Sequence, residues 1–438
     1  MSLNTLEQWL RFIERNHPSE IDMGLDRCSS VFTALNIRMG VNQNLSDIDA
    51  DQTSVVVITV AGTNGKGTTC AFIEQACLKA GLRVGVYSSP HLISFCERIR
   101  INSQQITEPA LCAVFETIES KRGNTTLTYF EYATLAALQA FSEADLDVVV
   151  LEVGLGGRLD AVNIVDPNIA VITSIGLDHQ NYLGDTKEKI GFEKAGVFRA
   201  SIPTVIGEPN CPQSMLKKAS DLAIEPMLIG KDFFYNERAQ SVKVGDQYFD
   251  VTKAKILKQN VATAIAALSC LATHIGSEHK RLLNADNMQY VIENTHVIGR
   301  HQLLQKPVLD IQPAVIADVA HNEDSALQLR KMIEQYDYNE CHIVVGMLKD
   351  KNIEVSLQAF TDMKIAWYCA TLPSARGENS SRIASAAANV KTKMDRTASI
   401  DCFDDPKTAY AKAIERAKPN DIVLVMGSFL TVAAVLAL

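Results

Sequence analysis

Runs of β-branched and aliphatic residues alternate along the chain with stretches whose apolar positions recur every three or four residues. Ser54–Val60, Arg83–Tyr87, Asp147–Val153 and Ile169–Ile175 read as strands with no polar face. Such strands belong to a parallel sheet covered on both sides, and the helices between them provide the cover. Helices are predicted over Cys70–Ala80, Tyr129–Ala144 and the Ala-rich Asn260–His274. Leu6, Trp9, Leu10 and Ile13 recur at helical spacing with Glu7, Arg11 and Glu14 between them, a surface helix rather than a signal peptide. From about Pro203 to Gly245 the pattern is less regular. Near Ile298–Gln302 it restarts, with strands at Val315–Asp318, His342–Gly346, Ile365–Cys369 and Asp421–Met426 and a helix at Ser325–Tyr336. The expectation is an α/β protein of two domains, residues 1–298 and a smaller 299–438. Right-handed βαβ crossovers gather the strand-to-helix loops at one sheet edge, where ligands bind.

The last segment, Ile422–Leu438, carries no charge but is interrupted by Gly427 and Ser428. It is short for a membrane span, so strand, turn and packed helix are expected, with no membrane partner. Across 438 residues, 42 basic and 51 acidic side chains give a net charge of -9. That balance argues against nucleic-acid binding but leaves room for a local anion pocket. The ten cysteines are scattered with no C-x-x-C pair, as expected for reduced thiols of a cytoplasmic protein.

After the first strand comes Ala61-Gly62-Thr63-Asn64-Gly65-Lys66-Gly67-Thr68-Thr69. Glycines let successive N–H groups turn inward around a phosphate, and the following helix N-terminus adds partial positive charge. Thr63, Asn64, Gly65, Lys66, Gly67 and Thr68 are therefore the candidate ATP-binding loop, with Lys66 reaching the terminal phosphates. The usual G-x-x-x-x-G-K-[ST] spacing is not met: Val60 stands at the first Gly, and Gly67 separates the Lys from the Thr. Two further strand ends carry oxygen ligands. Ser89 follows the Arg83–Tyr87 strand, and Glu152 ends the Asp147–Val153 strand. A carboxylate there is costly unless paired or bound to a cation, which makes Glu152 a Mg²⁺ candidate.

The string Gly62-Thr63-Asn64-Gly65-Lys66-Gly67-Thr68 closely resembles the nucleotide loop of folylpolyglutamate synthases and dihydrofolate synthases, relatives of the Mur ligases. The resemblance extends through Tyr87–Leu92, Leu151–Ala161, Asp178-His179, Glu193–Val197, Gly299–Gln302 and Asp318–Asn322, in family order. It implies a Mur-ligase-like P-loop ATPase domain followed by a Rossmann-like α/β domain. It implies two Mg²⁺ sites, drawn from Ser89, Glu152, His179 and a Lys194 carbamylated by CO2; a monovalent cation is compatible with the site. Gly24, Leu25, Asp26 and Arg27, then Thr128, Tyr129, Phe130 and Glu131, then Leu159, Asp160 and Ala161 match the pteroate contacts. Asn260 matches a residue near the adenine, Arg300 one near the phosphates, Asp318 a nucleotide contact, and His321 one that places the incoming glutamate. Lys66, His179, Lys194 and His321 are the catalytic set the family implies.

The activity implied is ATP-dependent addition of L-glutamate to dihydropteroate and to reduced folates through an acyl phosphate, by a cytoplasmic monomer. The alternatives are a folylpolyglutamate synthase only, a Mur-type ligase of cell-wall precursors, and a nucleotide-dependent switch module. Gly67 and the Asp22–Arg27 and Thr128–Tyr132 blocks weigh against the Mur-type substrate. The set of Glu152, His179, Lys194 and Asp318 weighs against a switch.

Overall fold

The computed structural model describes residues 3–39, 55–275, 281–308, 311–390 and 399–438; Ser54, the expected start of the first strand, lies outside them. Two compact units divide the chain, Met1–Ile175 with Leu183–Thr295 and Gly176–Tyr182 with His296–Leu438.

The first unit is built on β1 (Val56–Ala61), β2 (Val84–Tyr87), β3 (Ile99–Ile101), β4 (Gln104–Gln105), β5 (Val148–Glu152), β6 (Ile169–Ile172), β7 (Thr204–Ile206) and β8 (Met227–Leu228). They form one sheet in the order β4-β3-β2-β5-β1-β6-β7-β8, parallel from β2 to β8, with β3 and β4 added antiparallel. Successive side chains of a strand point to opposite faces, so the continuous apolar runs feed two cores. Val57 and Ala61 join Val149 and Leu151 in one cluster; Val56, Ile58 and Val60 join Val148 and Val150 in the other. The first cluster takes in Leu6, Trp9 and Ile13 of the Leu6–Ile13 helix and Leu135 and Leu138 of the Tyr129–Ser142 helix. The second takes in Phe72 and Ile73 of the Lys66–Lys79 helix and Val261, Ile265 and Leu268 of the Lys258–Ile275 helix.

Two features differ from the sequence expectation. A helix at Glu108–Arg122 buries Leu111, Val114, Phe115 and Ile118, a clean three-and-four spacing that was not read. Residues 203–245 are also more regular than expected. They hold β7, a Gln213–Asp221 helix and β8, and then begin a separate antiparallel sheet of β9 (Phe233–Asn236), β10 (Ser241–Val244) and β11 (Gln247–Asp250). Its strands are only four residues long. Phe233, Val242, Val244 and Phe249 face the second core, while Lys243 and Tyr248 face outward.

The second unit is a six-stranded sheet of β12 (Gln302–Gln305), β13 (Ala314–Ala317), β14 (Cys341–Val345), β15 (Ile365–Ala370), β16 (Ile400–Phe403) and β17 (Ile422–Met426). The order is β12-β13-β17-β14-β15-β16, parallel except for the edge strand β12. The chain's last segment is the expected strand, turn and helix: β17, Gly427 at φ 108, Ser428 as N-cap, then Phe429–Leu436. Among the described residues no helix is long and apolar enough to cross a membrane.

Phe233 is fully buried between the small sheet and the Lys258–Ile275 helix. Phe233→Ala is expected to destabilise the first unit by about 3–5 kcal/mol, measured by denaturant unfolding. A loss below about 1 kcal/mol would mean the small sheet does not share that core.

Candidate active site

Parallel pairing sets the site. Val60 of β1 lies opposite Glu152 of β5, and Ala61 opposite Ile172 of β6, so the loop leaves β1 with these two strand ends on either side. The end of β6 grips the loop. Thr63 N donates to the Ser174 carbonyl at 2.8 Å, Asn64 N to Ser174 Oγ at 3.0 Å, and Thr173 Oγ1 to the Asn64 carbonyl at 2.6 Å. Contact is close enough that a Cβ on Gly62 (φ 149) would lie 1.9 Å from Thr173 Oγ1. On Gly65 (φ 86) it would lie 2.6 Å from Asn260 Oδ1. Both dihedrals are also ones that L side chains avoid.

Asn260, from the Lys258–Ile275 helix, donates through Nδ2 to Thr68 Oγ1 at 2.8 Å, and Thr68 donates to the Gly65 carbonyl at 2.9 Å. Thus Asn260, expected beside the adenine, is placed at the phosphate loop itself. Lys66 opens the Lys66–Lys79 helix, and its Nζ donates to the carbonyls of Gly62 and Thr63 at 3.0 and 3.2 Å. Lys194, last residue of the Lys187–Lys194 helix and 4% exposed, donates to the same Gly62 carbonyl at 2.8 Å. The structure therefore brings Lys66 and Lys194 together, though 128 positions apart in the numbering of these hydrogen bonds.

Glu152 is also 4% exposed, and its Oε2 accepts the N–H of Ser89 at 3.1 Å. A Cβ on Gly67 would lie 3.6 Å from the same oxygen, so the first helical turn packs against the carboxylate. Among the described residues, no group of three or more His, Cys, Asp or Glu side chains is placed to hold a metal by itself. The donor set nevertheless fits Mg²⁺, a hard cation held by one or two carboxylates together with phosphate oxygens. A buried carboxylate, a serine at its side and the Thr68 hydroxyl on the phosphate loop are such donors. His179, expected to share a metal with Lys194, belongs to the second unit, while Lys194 belongs to the first.

The three candidate pteroate segments converge within the first unit. Arg27, in the Asp26–Ala34 helix capped by Leu25, pairs with Asp22 at 2.8 Å and with Glu131 at 3.2 Å. Glu131 and Thr128 form a capping box on the Tyr129–Ser142 helix. Phe130 packs on the loop that leads into the third segment, since a Cβ on Gly154 would lie 2.5 Å from its ring. A Cβ on Gly156 would come 3.7 Å from Met23, beside Gly24. Leu159 precedes Asp160, whose carboxylate accepts the N–H groups of Leu155 and Val162 and caps the short helix begun by Ala161. Burial pushes the Asp160 carboxyl up to about 6, with those N–H groups pulling the other way.

In the second unit, Asp178 Oδ1 accepts the His179 N–H at 2.8 Å and the Lys351 Nζ at 2.6 Å, and Oδ2 lies 3.5 Å from His321 Nε2. Burial alone would raise the Asp178 carboxyl, but His321 and Lys351 outweigh it and hold it well below the usual carboxylate range. Lys351 went unnoticed in the sequence, where it is one lysine of Lys349-Asp350-Lys351 with nothing to distinguish it. Asp318 accepts the N–H groups of His301 and Ala320 at 2.7 and 2.8 Å, and the Arg300 guanidinium lies 5.2 Å from the Phe429 ring.

A Mur ligase middle domain matches residues 60–304, and a Mur ligase glutamate ligase domain matches residues 299–429. The chain is 38% identical to the dihydrofolate synthase/folylpolyglutamate synthase of Haemophilus influenzae, across 98% of this chain and 96% of that one. The chain belongs to this family of Mur ligases. The resemblance read from the motifs is met over the full length. An Escherichia coli FolC of the same family, solved in complex with DHPP and ADP, matches with a TM-score of 0.88 at 37% identity, over 99% of this chain and 97% of that one. The bifunctional folylpolyglutamate synthase/dihydrofolate synthase of Yersinia pestis, complexed with AMPPNP and Mn ion, matches at 0.86 and 38%, over 99% and 98%.

Because the folded-state value of Asp160 is raised, its stabilising contribution is complete below pH about 3.8 and is lost as pH rises through about 6. Isotope-edited NMR of the side-chain carboxyl should give a midpoint of about 6. A midpoint near the ordinary 3.8 would contradict the sealed environment described for it.

Proposed function

We propose that this chain joins L-glutamate to dihydropteroate, giving dihydrofolate, and to reduced folates, giving folylpolyglutamates, at the expense of ATP. The observation that carries this is that one unit holds the phosphate loop, Glu152 at the neighbouring strand end and the three convergent pteroate-type segments.

A carboxylate at neutral pH is a poor electrophile, so amide formation requires activation. The acceptor carboxylate attacks the γ-phosphorus of ATP and ADP leaves. The amine of L-glutamate then adds to the resulting acyl phosphate, and inorganic phosphate leaves as the amide forms. Little covalent chemistry falls to the protein; it positions anions and offsets their repulsion. Lys66 stands over the loop carbonyls of Gly62 and Thr63, within a short side-chain swing of a phosphate seated on the loop. Gly65, Gly67 and Thr68 line the cradle, while the Thr63 and Asn64 N–H groups hold the loop to Ser174. When bound at Glu152 and Ser89, Mg²⁺ neutralises phosphate charge and the charge that develops on transfer.

Lys194 is carbamylated in the working enzyme. Its ammonium gives up one proton, and the neutral amine then adds CO2 and releases a second, so that a buried cation becomes a carbamate whose oxygens would serve the second metal, for which His179 is the other proposed ligand. Tyr129 and Phe130 flank the pterin, with Arg27 as a polar contact and Asp160 fixing the loop from Leu155 to Val162 that borders it. Residues 1–298 act as the ATPase and pteroate-binding domain. Residues 299–438 contribute Arg300 and Asp318 to the nucleotide and His321 to the incoming glutamate. The enzyme works as a monomer in the cytoplasm; the scattered, unpaired cysteines of the described residues support the compartment.

Coupled ADP release, measured with ATP, Mg²⁺ and L-glutamate, is expected with both dihydropteroate and tetrahydrofolate as acceptor. Turnover with tetrahydrofolate alone would reduce the chain to a polyglutamate synthase. Silence with both, in protein that binds ATP, would overturn the folate reading.

A further inference from the structure

Arg98 is 7% exposed, and no carboxylate of the described residues forms an ion pair with it. Its neighbour Glu97 is committed elsewhere, accepting the N–H groups of Leu92, Ile93 and Ser94 at 2.7, 2.9 and 2.7 Å. The groups in direct contact with the Arg98 side chain are neutral. Its Nε donates to His91 Nδ1 at 2.8 Å, its Cζ lies 5.2 Å from the Phe95 ring and 5.5 Å from the Tyr129 ring, and the Tyr87 hydroxyl is close by. The bond from Arg98 makes Nδ1 of His91 an acceptor and leaves the ring proton on Nε2. A buried cation with only neutral partners carries a desolvation cost that an incoming anion would offset.

The position of Arg98 indicates which anion. Its carbonyl accepts the Ser88 N–H at 2.9 Å, fixing it to the turn whose next residue, Ser89, donates to Glu152. Its other side meets Tyr129, at the start of the helix that carries a pteroate-type segment. Arg98 thus stands between the carboxylate proposed for the metal and the wall proposed for the acceptor. Dihydropteroate offers one carboxylate, the one that reacts. A glutamylated folate offers two, a reacting γ-carboxylate and an α-carboxylate that must be held without reacting. A guanidinium fork matches a carboxylate in two parallel hydrogen bonds.

We propose that Arg98 anchors the non-reacting α-carboxylate of a glutamylated acceptor, and so is a specificity-determining residue for chain extension over dihydrofolate formation. The inference rests on the ligase reading above, which wild-type turnover of dihydropteroate tests on its own. In Arg98→Gln, kcat/KM with tetrahydrofolate is expected to fall about 100-fold while that with dihydropteroate changes by less than about threefold. Retained dihydropteroate turnover also reports a folded variant. A tetrahydrofolate analogue with its α-carboxylate converted to the carboxamide should lose about the same factor with the wild type and almost nothing further with Arg98→Gln. Arg98→Lys, which keeps the charge but not the fork, should show a carboxamide penalty between the two. Equal losses with both acceptors, or a carboxamide penalty as large in the variants as in the wild type, would overturn the proposal.

Discussion

Residues 62 and 65 have no room for a Cβ atom: one would collide with Thr173 and the other with Asn260. Everything at the site depends on that squeeze. It presses the turn after β1 between the end of β6 and the Lys258–Ile275 helix, so the loop cannot relax into an ordinary βα connection. Its Thr63 and Asn64 N–H groups are taken up by Ser174, and its Gly62 and Thr63 carbonyls accept lysine nitrogens. The Gly62 carbonyl takes both Lys66 and Lys194. Lys66 thereby brings positive charge to the loop, and the same oxygen holds the Lys194 amine beside it, each nitrogen keeping a strong acceptor.

The remaining charges follow the same economy of pairing. Glu152 is buried but takes the Ser89 N–H; Glu131 is buried but meets Arg27; Asp178 is held by Lys351 and His321. Asp160 is sealed in, and burial raises its carboxyl although backbone N–H groups and the charge of Lys66 pull the other way. Arg98 departs from the pattern, which is why it is informative. The net charge of -9 is no obstacle to binding ATP, since the field that matters is local and made by a few cations beside the loop.

Much of this was legible in the sequence, for identifiable reasons. Strands buried on both faces read as unbroken runs, as in Val56–Ala61 and Val148–Glu152, and a Gly-rich turn between strand and helix fixes the loop's place without any tertiary information. The β9–β11 sheet escaped notice because its four-residue strands are too short to establish a period. The site's ion pairs were illegible for a different reason. Asp178 with Lys351 and Arg27 with Glu131 join residues far apart in the chain, and each lysine or arginine looks like any surface charge until the fold brings its partner. Asn260 shows the limit from the other side: its helix was anticipated, but its role as the partner of Thr68 required the coordinates.

The account stands or falls on activation of the acceptor carboxylate by phosphoryl transfer from the loop-bound ATP. Dihydropteroate labelled with ¹⁸O in its carboxylate, turned over with ATP and L-glutamate, tests this directly through ³¹P NMR of the released inorganic phosphate. One labelled oxygen per phosphate is predicted, because the bridging oxygen of the acyl phosphate leaves with phosphorus. Phosphate free of label, with amide still formed, would contradict it.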